Sequence, residues 1–96
     1  MSEQRPQAKP TLQIDNDQMI VTQWSFEPGA ETGWHTHGHD YIVVPITDGD
    51  LLLETPDGCL SARLTQGVAY NREAGVHHNV VNAGTAPLVF VEIELK

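Results

Sequence analysis

Short apolar and β-branched runs alternate along this chain with clusters of Gly, Pro, Asn and Asp. That rhythm is the signature of strands and tight turns. Residues 19–26 form the first clear strand, with Ile20, Trp24 and Phe26 on one parity and Met19 and Val21 on the other. Glu27-Pro28-Gly29-Ala30 turns the chain, because Pro presets φ and Gly supplies a positive one. A short strand over 33–37 follows, then an apolar one over 41–47 interrupted by Pro45, which removes a ladder donor and marks an edge or a bulge. Asp48-Gly49 is a hairpin signal, and Thr55-Pro56-Asp57-Gly58 is a second turn; they flank a strand over 51–54. Residues 60–64 place Leu60, Ala62 and Leu64 on one face. Turns at Gln66-Gly67, Ala74-Gly75 and Asn82-Ala83-Gly84 separate strands over 68–71, 76–81 and 88–95. No segment sustains a 3.6-residue period without Gly or Pro. The pattern predicts an all-β domain, a small sandwich or barrel. Residues 1–12 read as a flexible arm, or one ordered only by a partner, ahead of a single domain over 13–96.

Composition narrows the function classes. A chain of 96 residues is one domain with one modest core, and 40% hydrophobic content sets it apart from a disordered acidic tail. The formal charge is −8 with only five Lys and Arg, scattered along the chain, which argues against a nucleic-acid partner. No apolar run approaches the roughly 20 residues that span a bilayer, and residues 1–10 lack the apolar stretch of a signal peptide. The single Cys59 cannot form an internal disulfide. These features predict a cytoplasmic protein with no membrane partner.

The candidate chemistry lies in Gly33-Trp34-His35-Thr36-His37-Gly38-His39-Asp40-Tyr41. In an extended segment, side chains two apart share a face, so His35 and His37 project into one volume. Neutral imidazole is the commonest metal ligand. Further along, His77 and His78 are adjacent, so only one of them faces inward.

The spacing of these residues resembles that of a small single-domain cupin. The family's first motif is Gly, five residues, His, any, His, then a Glu and a Gly; Gly29, His35 and His37 fit it. The second is Gly, five residues, Pro, any, Gly, two residues, His, three residues, Asn; Gly67, Gly75, His78 and Asn82 fall at every spacing. The resemblance implies a jelly-roll β-barrel with His35, His37 and His78 as a facial set of metal ligands at its mouth. An all-nitrogen set suits a divalent transition metal (Fe, Ni, Zn or Cu) and leaves positions for a small anionic ligand. Two departures stand out. Glu73 replaces the proline of the second motif, and the glutamate of the first is missing. Its place falls on Tyr41 counting from His37 and on Ile42 counting from Gly49, which implies an extra residue, a bulge near Pro45. Asp40 is one residue out of register and falls on the opposite face unless the bulge precedes it, so Tyr41, Asp40 and His39 all stand as replacements for the missing glutamate.

Tyr41 and His39 are the candidate catalytic groups, as a phenol near an open coordination position and a donor beside it; Tyr41 reads equally as pocket wall. His77 reads as a surface or interface residue, Cys59 as a bystander, Arg63 and Arg72 as solvated arginines that could also meet a substrate carboxylate, and Trp24, Trp34 and Phe26 as core or subunit interface. Within the resembled superfamily, sites of three histidines without the glutamate occur in thiol dioxygenases, which implies an iron-dependent oxidation of a small molecule. The alternatives are a non-oxidative isomerase or lyase and a binding module without turnover. A closer resemblance joins 41–49 and 75–84 to short bacterial cupins associated with β-alanine degradation. Small cupins commonly pair, so a two-fold homodimer is expected, with 10–26 lending a strand to the partner sheet.

Overall fold

The computed structural model of the chain describes residues 5–96. Its strands are β1 Lys9–Asp15, β2 Met19–Phe26, β3 His35–Thr36, β4 Asp40–Pro45, β5 Gly49–Thr55, β6 Gly58–Leu64, β7 Tyr70–Arg72, β8 His77–Asn82 and β9 Leu88–Leu95. All named pairings are antiparallel. One sheet runs β1-β2-β9-β4-β7 and the other β3-β8-β5-β6. The two face each other as a jelly-roll barrel, the all-β fold expected of the pattern. No helix among the described residues is long and apolar enough to cross a membrane.

Alternation decides which side chains the barrel encloses. On β4, Tyr41, Val43 and Pro45 are buried while Asp40, Ile42 and Val44 face outward. On β9, Leu88, Phe90 and Glu92 are buried. One end of the barrel is thus closed by Phe26, Leu51, Leu64, Leu88 and Phe90, with the rings of Phe26 and Phe90 5.4 Å apart. Each such side chain contributes about 1.5–3 kcal/mol by leaving water. Packing is tight enough to dictate Gly49, where a Cβ would run into Cδ1 of Leu88. Asn82 completes this end. Its Nδ2 donates to the carbonyls of Phe26, Glu27 and Ala86, so the last residue of the second motif is a loop clamp.

The expected bulge lies immediately after Pro45. The amides of Ile46 and Thr47 both donate to the carbonyl of Val89, two residues against one. β4 itself pairs with β9 in unbroken register. The count from His37 therefore holds, and Tyr41 is the inward residue.

The N-terminal stretch differs from the flexible arm expected over 1–12. Residues 1–4 lie outside the described residues; from Arg5 onward the chain is docked. Ala8 is fully buried and its amide donates to the carbonyl of Glu31, Gln7 bridges to Glu31, and β1 pairs with β2 of the same chain across the expected boundary at residue 12. Every residue of β1 is exposed. Its two apolar residues, Leu12 and Ile14, are exposed and flank a register shift, so the strand carries no buried face for the pattern to mark.

Candidate metal centre

The three histidines meet because two short strands are laid edge to edge. β3 pairs with β8 so that His35 lies directly opposite His78. Just beyond β3 the amide of His37 donates to the carbonyl of Val76, and Gly75 donates back to His37, holding both strands together at the barrel mouth. Gly75 makes that return at φ +99°, where a β-carbon would be strained.

The geometry that results is a nearly equilateral triangle. The Nε2 atoms of His35, His37 and His78 lie 3.1 Å from one another, with His37 and His78 buried and His35 partly so. The Nδ1–H of His35 donates to the carbonyl of Gly33 at 2.8 Å, which leaves its Nε2 as a lone pair facing the other two. Burial, with the nearby His35, lowers His37 from 6.5 to about 4. Burial, with His35, His37 and His77, lowers His78 to about 4. Both are therefore neutral at pH 7. Converging lone pairs repel each other and cannot all be satisfied by shared protons, whereas a divalent cation accepts all of them. Ligand atoms about 2.1 Å from one ion sit about 3 Å apart when adjacent, as these do. The donor set fits a borderline transition metal, which excludes Mg and Ca as preferred occupants.

Several residues support the triangle from behind. Asn79, next to His78 and buried, accepts from the amide of Gly33 through Oδ1 at 3.0 Å and donates through Nδ2 to Glu31 and Glu54. Arg5 closes the same cluster, donating to Glu31 at 3.1 Å and Glu54 at 2.7 Å. Hydrogen bonds from Arg5 and Asn79 hold the Glu54 carboxyl below its usual range. The chain Arg5–Glu54–Asn79–Gly33–His35 thus fixes the orientation of one ligand.

The two residues expected to be catalytic are placed differently. Tyr41 stacks flat on His37, with ring centroids 3.9 Å apart and planes 19° apart, and burial beside Glu92 pushes its phenol up to about 12. It is a wall of the site that stays protonated. His39 stands outside the triangle at the rim, its Nδ1 3.6 Å from Oε2 of Glu94. Asp40 faces outward, as expected, and accepts from the amide of Ala74. His77 is exposed, hydrogen-bonded to Thr36 and packed against the exposed ring of Trp34. Trp24 packs against the core. Cys59 is exposed, and Arg63 pairs with Asp50 at the surface.

Beside the triangle lies a cavity of about 210 Å³, lined by His78, Tyr41, Tyr70, Arg72, Glu92 and apolar residues from β4, β5, β8 and β9. The guanidinium of Arg72 lies 4.6 Å above the ring of Tyr70, so this exposed arginine stands at the cavity edge. Glu92 was not anticipated. It is buried, its Oε2 is 3.9 Å from Nε2 of His37, and burial together with Glu94 raises its carboxyl from 4.5 to about 7. The signal for it was the parity of the last strand: Leu88 and Phe90 share a face with Glu92 and Glu94, an apolar stripe that ends in two carboxylates.

Comparison with known proteins gives one consistent answer. The family model described as a cupin domain matches residues 22–94. The β-alanine degradation protein BauB of Pseudomonas aeruginosa is 64% identical over 92 residues, which is 96% of this chain and 97% of that protein. The crystal structure of a cupin domain from Bordetella pertussis Tohama I matches with a TM-score of 0.96 at 57% identity, covering 99% of each chain. A protein with a double-stranded β-helix domain from Klebsiella pneumoniae shares the fold, with a TM-score of 0.76 at 21% identity over 98% of this chain and 81% of that one. The motif spacings, the barrel and the matched span all point the same way, and the chain belongs to the cupin family.

Proposed function

We propose that this cupin binds a divalent transition metal through His35, His37 and His78, and that the metal takes a small chelating anion of the amino-acid or carboxylic-acid class. The observation that carries this reading is the 3.1 Å triangle of Nε2 atoms beside a cavity of only about 210 Å³. That volume suits a molecule of a few heavy atoms. Arg72 at the cavity edge offers a cation for a carboxylate, and the apolar walls favour a short aliphatic body. The similarity to a protein of β-alanine degradation supports the same ligand class. Iron held by His35, His37 and His78 would supply a centre able to bind a small anion and activate dioxygen, and the reaction we favour is an oxidation. Tyr41 remains a neutral hydrogen-bond donor across the physiological range and orients the ligand from the wall. His39 and Glu94, 3.6 Å apart, stand at the rim as the candidate acid–base pair. That rim pair also supports a second reading, non-oxidative isomerase or lyase chemistry with the metal as Lewis acid.

We place the protein in the cytoplasm, as a two-fold homodimer. The outer face of the five-stranded sheet supports pairing. Ile14, Val21, Ile93 and Ile42 stand in one cross-strand row there, flanked by Val44 and Val91.

The test is spectroscopic. Cobalt-loaded protein should change its visible spectrum on adding β-alanine, a short carboxylate or a thiol carboxylate, and iron-loaded protein should consume dioxygen with at least one of them. A spectral change without oxygen uptake selects the non-oxidative reading. An unchanged spectrum with every anion contradicts an open site.

A further inference from the structure

The cavity beside the histidines is lined by two opposite charges that do not meet. Glu92 comes from β9 and Arg72 from β7, with Tyr41, Val43 and Tyr70 between them. The sheet order β9-β4-β7 sets their spacing. Glu92, Val43 and Tyr70 form one cross-strand row, and Glu94, Tyr41 and Arg72 form the next row toward the mouth. Two strand spacings, roughly 10 Å, separate the backbone of β9 from that of β7. Arg72 does not close the gap. Its guanidinium lies over the Tyr70 ring and donates to the carbonyl of Asn71.

Glu92 is therefore left without a protein partner. Only 8% of it is exposed, and among the described residues no hydrogen bond reaches its carboxylate. Nε2 of His37 stands 3.9 Å from Oε2, beyond hydrogen-bond reach, and is turned toward the other two histidines. Glu94, the other carboxylate near the end of β9, has His39 beside it. The oxygens of Glu92 are not sealed in protein. Among the described residues the one buried side-chain polar atom without a partner is Nδ1 of His39, so the Glu92 carboxylate opens onto the cavity it lines. A carboxylate among apolar walls is strongly disfavoured until donors or a cation reach it. A ligand carrying N–H bonds supplies both.

We propose that Glu92 is the residue that selects an amino group on the ligand, its carboxylate accepting the N–H bonds, while Arg72 draws the ligand's carboxylate from the cavity edge. The ligand class is then a short amino acid, and a plain carboxylate is rejected. Val43 and the aromatic rings between the two charges suit a short methylene body, and about 210 Å³ admits little more. A plain carboxylate leaves Glu92 buried and unpaired beside a second negative charge. A site built to bond a polar group discriminates strongly against the analogue that lacks it. The proposal rests on the small-anion reading of the site and narrows it.

The experiment titrates the zinc-saturated protein by calorimetry at neutral pH with β-alanine and with propionate, which has the same carbon chain and carboxylate but no amine. The parent should bind β-alanine at least about tenfold more tightly than propionate, a preference that needs no variant to measure. Glu92→Gln keeps the shape and removes the charge. It should weaken β-alanine by about tenfold or more and leave propionate equal or tighter. Glu92→Leu should erase the preference altogether. Propionate binding and zinc content report that each variant is folded. Equal affinity of the parent for the two compounds overturns the proposal. So does a Glu92→Gln variant that keeps the preference, or one that loses propionate along with β-alanine, which would make Glu92 a structural residue. A variant that sheds its zinc overturns it too, since Glu92 would then serve the centre and not the ligand. A parent that binds neither compound overturns the small-anion reading together with this one; a parent that binds propionate and shows no preference for β-alanine overturns this proposal alone.

Discussion

The two ends of the barrel are built from the same strands and do opposite work. Along β9, Leu88 and Phe90 pack against Phe26 at the closed end, and two residues further on Glu92 and Glu94 line the open end beside the histidines. Along β4, Pro45 and Val43 belong to the closed end and Tyr41 to the open one. The side chains packed at the closed end, Phe26, Leu51, Leu64, Leu88 and Phe90, are all apolar and gain stability from burial. The open end concentrates buried polar groups, each of which costs stability until something binds. A small barrel can hold the cost of a site at one rim because the other rim is packed well enough to carry it.

Damage to the closed end should have the largest effect. Phe26→Ala removes a ring packed against Phe90 and Trp24 and should lower the unfolding free energy by about 3–5 kcal/mol in a denaturant melt. The fraction that stays folded should bind metal as the parent does. Loss of metal affinity in that fraction would show that the two ends are not separable.

The pH dependence of the metal-free protein sharpens the contrast. His37 and His78 have pKa values near 4 when folded and 6.5 when unfolded, so the unfolded chain takes up those protons first as pH falls. Their contribution to stability is therefore lost between pH 6.5 and pH 4. Glu92 acts in reverse: its folded value of about 7 lies above 4.5, so stability is lost as pH rises from 4.5 to 7. Glu92→Gln should gain on the parent across that window, by on the order of 3 kcal/mol at the upper end. Melts at pH 5 and pH 8 check this, and an advantage that does not grow with pH contradicts it.

A smaller effect is expected behind the site. Asn79→Ala frees the amide of Gly33 and so loosens His35. Metal affinity should fall by about 10–100-fold in a chelator competition. The smallest belongs to neither end: Asp50→Asn breaks an exposed pair with Arg63 and should change the unfolding free energy by less than about 0.5 kcal/mol in a denaturant melt.

Most of the fold could be read in the sequence because most strands are half-buried. Residues 19–26 and 88–95 alternate between core and outer face, and their strand limits agree with the structure. β1 could not be read that way, since all of its side chains are exposed and it is held mainly by backbone pairing with β2. The three histidines were visible through spacing, since strand parity and a tight turn at Gly75 suffice to bring them together. Glu92 was not, because its partner His37 is far away in sequence and the two meet only through the pairing of β4 with β9. Asn79 and Arg5 were hidden for the same reason: their role consists of hydrogen bonds between loops that no local pattern encodes.

The central claim is that His35, His37 and His78 together hold one metal. The most direct measurement is the metal content of untagged protein, with His78→Ala and His77→Ala prepared in parallel. The parent and His77→Ala should each carry about one transition-metal ion per chain, and His78→Ala should lose it, with affinity reduced by more than about 100-fold. Full metal content in His78→Ala would contradict the account.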